Sequence, residues 1–295
     1  MTAFIIRTLA SLIAIISMAA NATAERVEAT YNFIWNGFVV FTAEAVLEQS
    51  SASYAINMNV RTRGVMRLFN RGEGDLSAVG TIGPDGQIVA RHYVSKGRWS
   101  GDDYRKELFF DETGKFIRWE RDWPDEWLED YERAAVPEIM QYGPDGLSFL
   151  MLLLTESPPA ATRVFDGDHV MEIRLACARG SELKDSRHSP IKGAATKCQF
   201  ESETVAGELI ETEEQQQKRL KEEEKARKKA ERYARRHQGE DEDAEEDEAG
   251  IPIWLQQIEE LGYTLPVRAS FKSDWGTIRM YLKELKTSDG VHLKP

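Results

Sequence analysis

Five histidines, two cysteines and a run of acids and tryptophans are the side chains here that can do chemistry. His92, His169, His188, His237 and His292 are scattered, and none forms the HExxH or His-x-His spacing that holds zinc. They read as surface or strand-end residues. Neither Cys177 nor Cys198 lies in a CxxC pair or beside a histidine, so a catalytic thiol has no activating partner. No GxSxG turn presents a serine nucleophile, and Gly72-Glu73-Gly74 lacks the rest of a phosphate loop. Acids crowd residues 120–132, and two such as Asp125 and Glu126 can flank a glycosidic bond. Acids are expected throughout a chain of net charge −12, however. The expectation is a non-enzymatic protein with no metal and no cofactor.

The aromatic residues in the same stretch are more informative. Trp119, Trp123, Trp127 and Tyr131 recur every four residues. Pro124 confines any helix to the part after it, so the stretch is an aromatic-lined loop or short helix against the rest of the fold. These four residues are the candidate ligand-binding set, with Trp35 and Trp99 as further apolar wall; Trp35 suits an ordinary core better.

The elements around them are strands. Val27, Ala29, Tyr31, Phe33 and Trp35 alternate with polar residues, as do Tyr54, Ile56, Met58 and Val60. Asn36-Gly37, Gly83-Pro84-Asp85-Gly86, Asp111-Glu112-Thr113-Gly114 and Ser273-Asp274-Trp275-Gly276 mark turns between such runs. Strands resume at 169–178, at 198–204 and over 263–282, and 180–196 reads as a polar loop. Gly143-Pro144-Asp145-Gly146 precedes the apolar run Leu147 to Thr155, a short helix for which Asp145 is the expected N-cap. The fold class is mainly β: a curved antiparallel sheet or half-open β-barrel, with that helix across its concave side.

Residues 1–24 have the three parts of a signal peptide: Arg7 near the start, an apolar run from Leu9 to Ala20, and Ala22-Thr23-Ala24 before an expected cleavage ahead of Glu25. The clean apolar part is short for a membrane span. No later run is apolar enough to span, so no transmembrane span is expected in the mature chain. The expected localisation is the periplasm. In an oxidising compartment the pair Cys177 and Cys198 reads as a disulfide, worth about 3 kcal/mol for a loop of this length. The acidic balance argues against a nucleic-acid partner, whose phosphates need a basic surface.

Residues 208–250 break the β pattern. The stretch 211–236 holds 10 basic and 7 acidic residues and no apolar stripe, and 240–248 holds 8 acids and no base. The first piece suits a solvated helix with pairs such as Glu214–Lys218, Glu224–Lys228 and Glu231–Arg235. The second is self-repelling and is expected to be disordered. The chain thus divides into a signal at 1–24, a single β domain of 25–207 and 251–295, and a charged insert at 208–250. The insert is either a tolerated loop or an arm that meets a partner. Lys225 to Arg236 reach toward anionic head groups in that second case, although the acids beside them oppose it.

The order of several pieces resembles a bacterial exported family catalogued as domain of unknown function 3108. These are Tyr31-Asn32-Phe33-Ile34-Trp35-Asn36-Gly37, Thr62-Arg63-Gly64 with Met66, Gly86 to Tyr93, and Arg105 to Asp111. Asp145-Gly146-Leu147-Ser148, Phe165-Asp166-Gly167 and the hairpin from Pro266 to Leu282 complete the pattern. The resemblance covers most of the mature chain outside 208–250. It implies a periplasmic β-rich protein, similar in architecture to the half-open barrels of lipoprotein carriers, and carries over no catalytic residues. Two functions follow as expectations: a binding module for a lipid or apolar ligand, or a structural protein of the cell envelope with an envelope protein partner. Glycan hydrolysis is a distant third.

Overall fold

The computed structural model describes residues 25–295 other than 69–70, 126, 128–131, 156–157, 214, 218–219, 222–223, 226–227, 229–249, 259–262 and 274–275. Residues 1–24, expected from the sequence to be a signal peptide, Tyr131 and the acidic run 240–248 therefore lie outside the described residues.

The chain builds one large antiparallel sheet from two meanders. The first comprises β1 (Glu25–Trp35), β2 (Phe38–Gln49), β3 (Ser53–Thr62), β4 (Gly72–Ile82), β5 (Ile88–Trp99), β6 (Asp102–Phe110) and β7 (Phe116–Asp122). The second comprises β8 (Ala161–Phe165), β9 (Val170–Leu183), β10 (Gly193–Ala206), β11 (Ile251–Ile258), β12 (Tyr263–Ser273) and β13 (Gly276–Thr287). β13 pairs with β1, so the order is β7-β6-β5-β4-β3-β2-β1-β13-β12-β11-β10-β9-β8, and a two-residue β14 (His292–Leu293) lies on β13. The sheet curves without closing into a barrel.

Period-two alternation sets which face is buried. In β1, Val27, Ala29 and Tyr31 are buried, while Glu28, Thr30 and Asn32 between them are partly wet. The tight turn after β1 places Asn36 at φ 46° and Gly37 at φ 80°. Two successive left-handed residues give the twist that a two-residue hairpin needs. At the turn after β6, the Asp111 carboxylate accepts from the Thr113 and Lys115 amides at 2.8 and 3.0 Å.

The sheet's edges meet through a wedge rather than a ladder. The Phe116 amide at the β7 edge donates to Gln141 O at 2.9 Å, and the Phe165 amide at the β8 edge donates to Pro144 O at 3.0 Å. Residues 141–144 thus bridge β7 and β8. The rings of Phe110, Phe116 and Phe165 seal this seam, with the Phe116 and Phe165 centroids 4.9 Å apart. Gly167, at φ 93° in the β8–β9 turn, lies so close to Leu108 and Trp119 that an added Cβ would come within 2.6 Å of the leucine. Only glycine lets that turn reach the far side of the sheet.

The helix across the concave face, α1, runs from Phe149 to Leu153, shorter than the expected 147–155, and buries Phe149, Met151 and Leu153. Asp145 is not its N-cap. Ser148 holds that position, and the Asp145 carboxylate instead accepts from the Leu147 and Ser148 amides, both at 2.9 Å, in the turn before the helix. The Ser148 hydroxyl makes no cap bond because it donates to Asp145 at 2.6 Å.

The polar stretch 180–196 is also corrected. β9 pairs with β10 as far as Leu183 and Gly193, which leaves Lys184–Lys192 as the connection. The residues 176–180 are exposed. Cross-strand backbone bonds and the Cys177–Cys198 bond hold the ladder there, so its sequence need not be apolar. Cys177 and Cys198 face each other across this hairpin and are bonded, with Cα atoms 3.9 Å apart. Strands β10 and β11 pair antiparallel and flank 207–250, within which described residues between 213 and 228 are helical. Lys228 pairs with Glu224 at 2.6 Å, the i,i+4 contact expected from the sequence.

Candidate ligand-binding groove

The concave face has two unlike halves, and the change runs along each central strand. On β3, Tyr54 and Ile56 are buried, whereas Met58 and Val60 on the same face are half-buried. On β4, Ala78 is fully buried and Leu76 is half-buried. Along β3 the first half ends at Ile56 and the second begins at Met58, about 7 Å further along the strand. The first half lies under α1 and residues 143–148: the Tyr54 hydroxyl donates to Ser148 Oγ at 2.7 Å, and Gly143 sits against the Ala90 methyl. Among the described residues, the second half has no such cover. Phe33, Phe41, Trp99 and Met280 lie there, all half-buried. Their rings form a row across the sheet: Trp99 stacks on Phe41 at 6.5 Å, Phe41 meets Phe33 edge-on at 6.4 Å, and Phe33 contacts Phe271 at 6.1 Å.

A cleft of about 420 Å³ opens beside this floor, lined by Tyr93, Ser95, Tyr104, Lys106, Trp123, Trp127 and Asp166. Register makes it continuous with the floor: Lys106 lies opposite Ser95, Ser95 opposite Leu76, and Leu76 opposite Met58. Two of the four aromatic residues singled out from the sequence line this cleft, and a third, Trp119, lies against its Lys106. Trp123 and Trp127 line the cleft with centroids 6.2 Å apart, and Trp127 lies 5.8 Å from Tyr104. Trp119 belongs to β7, opposite Leu108, and packs half-buried against the core. Tyr131 lies outside the described residues. The stretch is therefore part strand and part helical turn: Trp119 is on β7, and Asp125 and Trp127 are helical. Trp35 is half-buried at the end of β1.

The sequence reading passed over the cleft's charged base. Lys106 shares the inward face of β6 with Tyr104 and Leu108, and its side chain is 7% exposed. Its ammonium pairs with Asp166 at 2.7 Å and lies 5.7 and 5.8 Å from the Trp119 and Trp123 rings. Arg121 lies over the same two rings at 4.5 and 4.9 Å. A cation is favoured over an indole face and more so when desolvated, so the tryptophans help to hold a lysine in an apolar wall. The available signal was a lysine at an apolar position of a period-two strand.

Asp166, Asp168 and His169 bring ligand atoms within 4.8 Å of one another. The His169 ring is 2.7 Å from Asp168, Lys106 occupies Asp166, and the Arg133 guanidinium is 3.7 Å from Asp168. With two fixed cations against its two carboxylates, the group is an internal ion-pair network rather than a favourable seat for a dication. The other buried polar group is the chain Tyr54–Ser148–Asp145. Burial pushes the Asp145 carboxyl above its ordinary value, against the pull of the Ser148 hydroxyl and the Ser148 and Leu147 amides. Burial likewise raises the phenols of Tyr54 and Tyr93. This hydrogen-bonded trio contains no histidine and is buried, so it anchors the start of α1 to β3. His92 sits on the opposite face of the sheet, where it pairs with Glu107 at 2.9 Å.

A family model described as "Protein of unknown function (DUF3108)" matches residues 27–283. The chain belongs to this family. The DUF3108 match spans both meanders and runs through the charged insert. No curated protein and no solved structure matches the chain. The pieces that carry the DUF3108 resemblance fall at structural joints. Asp145-Gly146-Leu147-Ser148 forms the turn under α1, and Phe165-Asp166-Gly167 forms the seam and the base of the cleft.

Proposed function

We propose that this DUF3108 protein is a non-enzymatic, exported binding module of the cell envelope that holds a lipid or other apolar ligand in the concave groove. The carrying observation is the uncovered half of the concave face: Met58, Val60, Leu76, Phe33 and Phe41 are half-buried beside a cleft walled by Trp123, Trp127 and Tyr104. Clefts for small ligands combine an apolar lining with a few placed polar groups and measure about 300–1,000 Å³. The polar groups here are the Tyr93, Ser95 and Tyr104 hydroxyls and the Lys106–Asp166 pair at one end. That arrangement suits an amphiphile whose chain lies on the floor and whose polar end meets the pair. The signal-like pattern of residues 1–24 and the cysteine pair support export to the periplasm. Among the described residues, no helix is long and apolar enough to cross a membrane.

Native mass spectrometry of the purified protein tests the reading. The expected result is a population carrying a lipid-sized adduct that organic extraction removes. A second expected result is loss of the adduct in Val60→Trp, which fills the floor. An adduct that persists in Val60→Trp, or a protein that neither retains nor takes up any amphiphile, overturns it.

A further inference from the structure

In a chain of net charge −12, five arginines converge on one rim of the sheet. Arg61, Arg63, Arg67, Arg71 and Arg98 line a single depression of about 340 Å³ at the β3–β4 connection and the adjoining end of β5. Three of them have acidic neighbours. Arg61 and Arg63 reach Glu44 at 3.1 and 3.9 Å, and Arg98 holds Asp103 through two bonds of 2.7 Å. Arg67 and Arg71 are exposed and make no ion pair among the described residues. Glu73 lines the same depression, so five cations face three acids (Glu44, Glu73 and Asp103), a local surplus of two.

The same rim carries bare apolar side chains. Leu68 is 81% exposed and Val65 37% exposed on the short 3-10 helix Gly64–Leu68, and Phe38 is 64% exposed at the start of β2. The helix packs on β2, where an added Gly64 Cβ would lie 2.9 Å from Val39 O, so the three side chains belong to one edge. This edge is also the mouth of the groove. Trp99 covers Gly72 and stacks on Phe41, the first ring of the aromatic row on the floor.

We infer that this rim docks on the surface of an anionic lipid bilayer. Guanidiniums gain from negative head groups, and each basic residue near such a surface contributes separately. Exposed Phe and Leu side chains enter the interface beside them. A soluble polyanion matches the charge but gives Phe38 and Leu68 nothing to bury. The inference goes beyond the proposed groove ligand without depending on it, because docking and groove occupancy are separate readouts.

Cosedimentation with vesicles of phosphatidylcholine, with and without phosphatidylglycerol, tests it. The protein should bind the anionic vesicles and not the zwitterionic ones, and added salt should weaken the binding. Arg67→Ala with Arg71→Ala should weaken it roughly thirtyfold, and Phe38→Ser with Leu68→Ser should weaken it further. All four sites are exposed, so unchanged melting serves as the folding control. Replacing 213–248 with a short Gly-Ser linker should leave vesicle binding intact. Equal binding to both vesicle types, insensitivity to the arginine changes, loss of binding with the insert alone, or capture by a soluble polyphosphate but not by vesicles would each overturn the inference.

Discussion

At the scale of single residues, two buried polar groups control how firmly the cleft is built. Asp145 is buried with a raised carboxyl pKa, so the folded chain holds that proton more tightly than the unfolded chain does. Its contribution is fully favourable below the unfolded value of about 3.9 and is lost as pH rises through the raised folded value. Asp145→Asn keeps an acceptor for the Leu147 and Ser148 amides without that titration. Its melting temperature should gain on the parent as pH rises from 4 to 8, and a constant difference would contradict the assignment. Asp145→Ala leaves those amides unpaired and should cost about 1–3 kcal/mol. The second group is the pair Lys106–Asp166. Asp166→Ala strands a buried ammonium and should cost about 2–3 kcal/mol, somewhat below a fully dry pair because Asp166 is 29% exposed. Lys106→Met combined with Asp166→Leu should recover most of the loss in chemical denaturation, since an apolar pair of similar size needs no charge partner.

At the scale of elements, the strands were legible because alternation and turn chemistry are local. Val27 to Phe33, Tyr54 to Val60 and Asn36-Gly37 each state their structure within a few residues. The short α1 was legible as an apolar run but not in its bounds, because the amides that Asp145 caps belong to a separate turn at 146–148 and the helix begins after it. The β9–β10 extension over 179–183 and 193–196 was hidden for the opposite reason: Arg179, Gly180, Glu182 and Ala194 are exposed, so no clean apolar alternation marks it. The disulfide Cys177–Cys198 staples that extension. Its reduction should lower stability by about 3 kcal/mol, measured as a shift in denaturation midpoint with and without a thiol reductant. No shift would mean that the ladder alone holds the hairpin.

At the scale of the whole molecule, the seam makes the shape and the shape makes the groove. No local pattern announces that residues 141–144 bridge β7 to β8, or that Gly167 reaches Leu108 from across the sheet. The aromatic candidates Trp119, Trp123 and Trp127 were visible as a spacing, but their partners Lys106 and Asp166 are 60 positions apart in sequence and meet only through that closure. The arginine rim was likewise invisible, because Arg61 and Arg98 share a depression only once β3, β4 and β5 lie side by side. The central claim is that the uncovered half of the concave face takes an apolar chain. The most direct measurement is a fluorescence titration of the delipidated protein with an alkyl-chain probe, run in parallel on Val60→Glu and on the exposed control Leu220→Glu. The account predicts saturable binding by the parent and the control, and loss of at least about tenfold in affinity for Val60→Glu, the cost of placing a charge on the floor. Equal affinity in all three proteins would contradict it.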